Sequence, residues 1–196
     1  MAMNPGTVVE KISNSAVGGL ALCCERREVY TTYDERSIRV WNTDDGRLLR
    51  TFENAHGGNI TSLVWLPQRI LASCSLDHCL SVWSPKGEII ARAKVSCSLF
   101  CCGYSAKHDF LVVGGNRLMF VMQLKRDEAG GAARLERMYT FTEHTDFVSQ
   151  VICTPTGRIF SCGYDGRICA YEVNIEDRLV VMTAPDGSAR ASARCH

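Results

Sequence analysis

The sequence predicts an all-β protein made of about four similar four-stranded sheets. Three observations carry that expectation. The first is a repeat. Ser37–Trp41 (SIRVW), Cys79–Trp83 (CLSVW) and Arg167–Tyr171 (RICAY) align, with Leu118–Met122 (LMFVM) as a weaker fourth. Their last residues are 41, 83, 122 and 171, so the steps are 42, 39 and 49. The second is the kind of segment between those ends. Short apolar, often β-branched runs alternate with Gly, Asp, Asn and Pro, which is the pattern of strands and tight turns. The third is the lack of any helical-length stretch with a 3.6-residue apolar stripe.

The elements recur in a fixed order. An apolar run opens each repeat, as in Ile60–Leu66, Leu99–Tyr104 and Phe147–Cys153. A turn follows, with Pro67–Gln68 or Thr154–Gly157. A second run comes next: Ile70–Ser73, Phe110–Val113 or Ile159–Cys162. A polar turn then leads to the run ending in Trp or its substitute, and a fourth run closes the unit, as in Arg47–Phe52 and Glu88–Ala91. A four-stranded repeat of roughly 40 residues is one blade of a β-propeller. The blades are expected at about 16–53, 56–92, 95–142 and 144–183, preceded by a lone strand at Thr7–Ile12. The long step contains Lys125–Arg137, charged and rich in Gly and Ala, and predicts an extended loop. The last residues, Ala184–His196, do not continue the pattern and are expected to form a disordered tail.

Two repeats carry more than strand pattern. His56 precedes Asp77 by 21 residues and Asp77 precedes Trp83 by six; His144, Asp165 and Tyr171 repeat both intervals. On these residues the chain resembles the WD-repeat family. The resemblance implies a hydrogen-bonded set within each blade: His56, Ser73, Asp77 and Trp83, and His144, Ser161, Asp165 and Tyr171. The chemistry suits such sets. A carboxylate shielded from water needs donors, an imidazole N–H is one, and a serine hydroxyl both donates and accepts. The other two blades depart from the pattern, with Glu35 and Asn116 in the Asp position and Ser96 or a neighbour in place of His. No WD dipeptide occurs after the repeat ends. WD-type rings commonly close at about seven blades, or about 290 residues. The expectation is therefore a partial, unclosed propeller, completed by further blades or by self-association.

Composition narrows the function classes. The chain has 196 residues, 46% hydrophobic and 22% charged, with a net charge of +1. That balance supplies no electrostatic drive toward nucleic acid, so none is expected as a partner. No uncharged stretch is long enough to cross a bilayer as a helix, and no membrane insertion is expected. Glu10 and Lys11 stand where a signal peptide would have its apolar core, which points to a cytoplasmic protein, with cytoskeletal, ciliary and nuclear complexes left open. Eleven cysteines, mostly inside apolar runs, fit reduced, buried thiols. Their spacings give no pair of zinc knuckles, so neither a metal nor another cofactor is expected.

The chemically capable residues are mostly absorbed within blades, so no catalytic residue is assigned. The expected function is a non-catalytic scaffold that binds other proteins or peptides during assembly of a larger complex. A hydrolase-like enzyme with its site in the central funnel is the competing class. Binding by a scaffold would fall on the rim, where the turns between strands gather. The candidates there are Asn59, Leu76, His78, Asp146, Phe147 and Tyr164, with Lys125–Arg137 as a second contact.

Overall fold

The computed structural model describes residues 17–33, 36–126, 132–174, 179–183 and 189–194. The lone strand expected at Thr7–Ile12 and the side chain of Glu35 lie outside that set. Four antiparallel sheets are present, each a meander of neighbouring strands. Blade 1 is β1 (Val17–Cys23), β2 (Glu28–Tyr33), β3 (Ile38–Asn42) and β4 (Leu48–Phe52). Blade 2 is β5 (Ile60–Leu66), β6 (Ile70–Ser75), β7 (Cys79–Trp83) and β8 (Ile89–Lys94). Blade 3 is β9 (Leu99–Ser105), β10 (Phe110–Gly115), β11 (Met119–Lys125) and β12 (Arg134–Phe141). Blade 4 is β13 (Val148–Cys153), β14 (Ile159–Gly163), β15 (Ile168–Asn174), β16 (Leu179–Thr183) and β17 (Ala189–Arg194).

The repeat seen in the sequence is also a repeat of backbone irregularities. The first two strands of all four blades shift register near the start of the first strand, at Val17/Leu20, Ile60/Ser62, Leu99/Cys101 and Val148/Gln150. The third and fourth strands of blades 1 to 3 shift just before the repeat end, at Val40/Trp41, Val82/Trp83 and Val121/Met122. Such bulges increase strand twist, which a propeller blade needs.

Apolar residues fill the seams between blades. First strands stand next to one another in order, β1 by β5, β5 by β9 and β9 by β13. Each seam has its own core: Tyr30, Ile38, Val40, Leu63, Leu71 and Trp83 between blades 1 and 2; Leu80, Val82, Leu111, Val113 and Phe120 between 2 and 3; Val112, Val121, Val148 and Tyr171 between 3 and 4. The last seam is so close that a Cβ on Gly114 would lie 2.5 Å from Cys101 Sγ and 2.7 Å from Val148 Cγ1. Glycine is required there by the approach of the two blades. The ring is not closed. Leu20 and Leu22 on blade 1 are 65% and 51% exposed, and Ile152 and Ile168 on blade 4 are 56% and 63% exposed.

Three sequence expectations need correction. Lys125–Arg137 is not one extended loop: Lys125 ends β11 and pairs with Arg134, the first residue of β12. Leu124 and Leu135 both pack against the core between blades 2 and 3, and that burial extends the hairpin past the expected turn. The segment 184–196 is not wholly a tail, because Ala189–Arg194 pairs antiparallel with β16. Its alternation of Ala with Arg or Ser suits a strand laid on an open sheet edge. Asn116 does not stand in the Asp position. Its N–H donates to Ser98 O, as those of Leu76 and Tyr164 donate to Asn59 O and Phe147 O. The turn of blade 3 is one residue shorter, with Gly114 opposite Met119 where blade 2 sets Cys74 opposite Leu80.

Candidate functional site

The turn between second and third strands is fixed from within blades 2 and 4. In blade 2 the second strand places Ser73 on the face toward blade 1, and the turn after Ser75 brings Asp77 back over His56. His56 Nδ1 lies 3.2 and 3.1 Å from the two Asp77 oxygens, and Nε2 lies 2.7 Å from Ser73 Oγ. Trp83 Nε1 donates to the same Oγ at 2.8 Å. Asp77 also accepts from the backbone N–H groups of Gly57 and Cys79 at 2.8 and 2.9 Å. Blade 4 repeats the geometry. His144 lies 3.2 and 3.0 Å from the Asp165 oxygens and 2.8 Å from Ser161 Oγ. Thr145 N and Arg167 N donate to Asp165, and the Ser161 and Tyr171 hydroxyls lie 3.3 Å apart.

The protonation pattern follows from the partners. Burial pushes the His56 imidazole below its ordinary range, outweighing the pull of Asp77 toward the charged form. A neutral ring donates from Nδ1 to the carboxylate and accepts from Ser73 at Nε2; the serine oxygen then accepts from the Trp83 indole. Burial opposes the Asp77 charge, but the N–H groups of Gly57 and Cys79, with His56, hold its carboxyl below the usual range. Asp165 is held low in the same way by Thr145, Arg167 and His144, against its burial.

Blade 3 carries apolar side chains instead. Val113 holds the strand position of Ser73, Met122 that of Trp83, and Val95, beside the expected Ser96, packs into the seam core. Blade 1 keeps one bond of the set, Trp41 Nε1 to Thr31 Oγ1 at 2.8 Å.

The rim candidates sit on the turns these sets hold. Asn59 and Leu76 are tied by the bond from Leu76 N–H, and Phe147 and Tyr164 by its counterpart. Leu76 and Phe147 are each 38% exposed and Tyr164 is 76% exposed. Asp146 and Asn59 are exposed, and His78 is half-buried in a left-handed turn at φ 71. Structure adds Phe100, which the sequence reading passed over. Its ring centroid lies 4.8 Å from that of Phe147, and Phe147 lies 6.4 Å edge-on from Tyr164. Three aromatic rings thus run from blade 3 to the turn of blade 4. Only the register of β9, with Phe100 one place beyond Leu99, could have signalled it. Arg92 was also missed. It donates to Ser81 Oγ and Ala55 O, at 2.8 and 2.6 Å, and so ties β8 to the His-bearing loop.

The ten described cysteines are free thiols. Burial pushes Cys101 and Cys153 up to about 12, far from the range of a reactive thiolate. Among the described residues, no helix is long and apolar enough to cross a membrane.

Comparison with known proteins agrees with this geometry. Residues 46–84 and 135–172 match the family model "WD domain, G-beta repeat". These stretches contain the Ser73–Asp77–Trp83 and Ser161–Asp165–Tyr171 sets. The chain is 33% identical over 128 residues to "Ribosome biogenesis protein WDR12 homolog" of Chlamydomonas reinhardtii, across 60% of this chain and 28% of that protein. It is 27% identical over 123 residues to the protein of the same name from Nematostella vectensis, across 61% and 28%. The chain thus spans well under a third of the length of either relative.

Proposed function

We propose that this chain, two stretches of which match the WD-repeat family model, is a non-catalytic scaffold that binds proteins or peptides during assembly of a larger complex. The observation that carries this reading is the division of labour between Asp77 and its neighbours. The carboxylates and imidazoles that could do chemistry are bonded to one another within blades 2 and 4. The same bonds fix turns that expose Leu76, Phe147 and Tyr164. Preordered aromatic and aliphatic side chains lose little freedom on binding and make good anchors.

The relatives are named for ribosome biogenesis, and the partners we propose are protein components of such an assembly. The cytoplasmic placement expected from the sequence draws no support from those relatives; the proposed role puts the chain in nuclear ribosome assembly. The test is affinity capture from cell extract with the chain carrying Leu76→Ala and Tyr164→Ala together. Captured assembly proteins should fall at least about tenfold, as expected for losing two anchors, with the melting temperature unchanged. A partner set identical to that of the unaltered chain would sink the rim as the binding site.

A further inference from the structure

Three aromatic rings meet where blade 3 packs on blade 4. Phe100 follows Leu99, the first residue of β9; Phe147 precedes β13; Tyr164 sits in the turn after β14. The Phe100 and Phe147 rings are inclined at 51°, and Tyr164 stands edge-on to Phe147 at 88°. Main-chain pairing holds the cluster in place. Tyr164 N–H donates to Phe147 O at 2.9 Å, and Asn116 on the turn of blade 3 forms a bridge with Phe147 across the seam. Phe147 and Tyr164 nevertheless stay 38% and 76% exposed. Blade 2 has a neighbour on both sides and still leaves Leu76, the match of Tyr164, 38% exposed. This slot therefore lies on the surface even where the next blade is in place.

Rings held at a surface can take an apolar side chain, a nucleic-acid base or a cation. Coverage and charge decide between these. Three other rings of the chain each have an arginine over one face: Tyr33 with Arg39 at 4.4 Å, Tyr30 with Arg50 at 5.8 Å and Trp83 with Arg92 at 5.7 Å. Among the described residues, no arginine or lysine stands over Phe100, Phe147 or Tyr164. The loop into β13 brings acid to these rings. Asp146 is exposed, and its Oδ1 accepts the Phe147 N–H at 2.8 Å. Glu143 leads the same loop, and Asp165 follows Tyr164. Of the guanidinium groups on these turns, Arg167 is turned to Glu143 O at 2.7 Å, and Arg117 is exposed on the turn of blade 3. Three carboxylates against two guanidinium groups disfavour a phosphate backbone and favour a cation. An aliphatic anchor gains nothing from a carboxylate at the lip of its site, whereas a cation on a ring face does.

We propose that the cluster of Phe100, Phe147 and Tyr164, together with Asp146, binds an arginine side chain of a partner protein. The inference rests on the scaffold reading above and names what this part of the rim recognises. A guanidinium plane stacks on a ring face while its N–H groups reach sideways to a carboxylate, which the compact ammonium of lysine does less well. The bound arginine would thus lie on the Phe147 face and donate to Asp146 Oδ2.

The test starts from random peptides displayed on phage and selected against the 196-residue chain. Selected peptides that shift the ring resonances of Phe147 and Tyr164 should share an arginine. Its replacement by citrulline, which keeps the shape and removes the charge, should raise the dissociation constant at least about fivefold. Asp146→Asn, a surface change with little risk to folding, should weaken the arginine peptide by a similar factor and leave the citrulline peptide unaffected. Phe147→Leu keeps an apolar side chain without the ring, and should weaken the arginine peptide more than the citrulline peptide. Ring-binding peptides that lack arginine, or that bind equally well with citrulline, would overturn this inference and leave the scaffold reading standing. No peptide at the rings, or tighter binding there of an oligouridylate, would overturn both.

Discussion

Trp83 shows how one side chain serves two structural purposes. Its ring, 3% exposed, fills the seam between blades 1 and 2 beside Phe52 and His56, with centroids at 5.9 and 6.2 Å. Its N–H completes the chain of bonds through Ser73 to His56 and Asp77. Trp83→Ala should cost about 3–5 kcal/mol in urea denaturation, the range for removing a buried large aromatic. A loss below about 1 kcal/mol would place the ring outside the blade core. Most of this residue-scale picture was legible in the sequence, because the intervals of 21 and six residues fix which side chains meet. Arg92 and Phe100 were not legible. Arginine is usually a solvated surface residue, and nothing in the order of residues says that this one reaches back to Ala55 O. Phe100 acquires its role only from Phe147, which belongs to the next blade.

At the scale of elements, blade 1 is joined by charge. Glu28 opens β2, with its side chain only 6% exposed, and accepts from Arg50 of β4, from Arg26 of the preceding turn and from the Tyr30 hydroxyl, at 2.7 to 3.0 Å. Burial works against the carboxylate charge, but the hydrogen bonds from Arg50, Arg26 and Tyr30 outweigh it and hold the pKa at about 2, from an ordinary 4.5. The stabilisation this gives is therefore complete above pH 4.5 and disappears as pH falls through about 2. Its size is on the order of 3 kcal/mol by linkage. Guanidinium denaturation at pH 7 and pH 3 should show a smaller acid-induced loss for Glu28→Gln than for the unaltered chain. Equal losses would remove Glu28 from the acid response. Blade 3 shows the other way to fill the same framework, with Val113 and Met122 where blade 2 has Ser73 and Trp83. Replacing a buried polar set entirely by apolar residues avoids the cost of leaving one member unpaired. The turn of blade 3 misled the sequence reading for a related reason. It is one residue shorter than the turn of blade 2 and lacks the carboxylate, so counting back from Met122 put Asn116 in the wrong place. The strand content of Lys125–Arg137 was hidden similarly, since Leu124 and Leu135 become partners only when their hairpin folds over the seam.

Across the whole molecule, stability is graded by how many faces of a blade are covered. Blades 2 and 3 each pack on both sides, while blades 1 and 4 each present one open face. Amide hydrogen exchange at high dilution should therefore be at least about tenfold slower in β6 and β10 than in β14, because local opening follows burial. Uniform protection would show that the blades unfold as one unit. The count of blades and their order were legible from spacing alone. The openness of the ring had to be inferred from length, because exposure of Leu20 or Ile168 depends on what stands beside them. The bonds across the seams also have a direction: Thr32 of blade 1, Thr61 of blade 2 and Cys101 of blade 3 each donate to a main-chain carbonyl of the next blade, at Ile60, Leu99 and Val148. The ring therefore has a polarity, like that of a filament with two unlike ends. A blade inserted, duplicated or cut out as a whole unit leaves ends that still match each other. A blade reversed would set donor against donor and carbonyl against carbonyl. Growth or loss of this architecture by entire repeats is thus tolerated by its chemistry, whereas a cut within a blade would break a sheet and leave the seam without its partner.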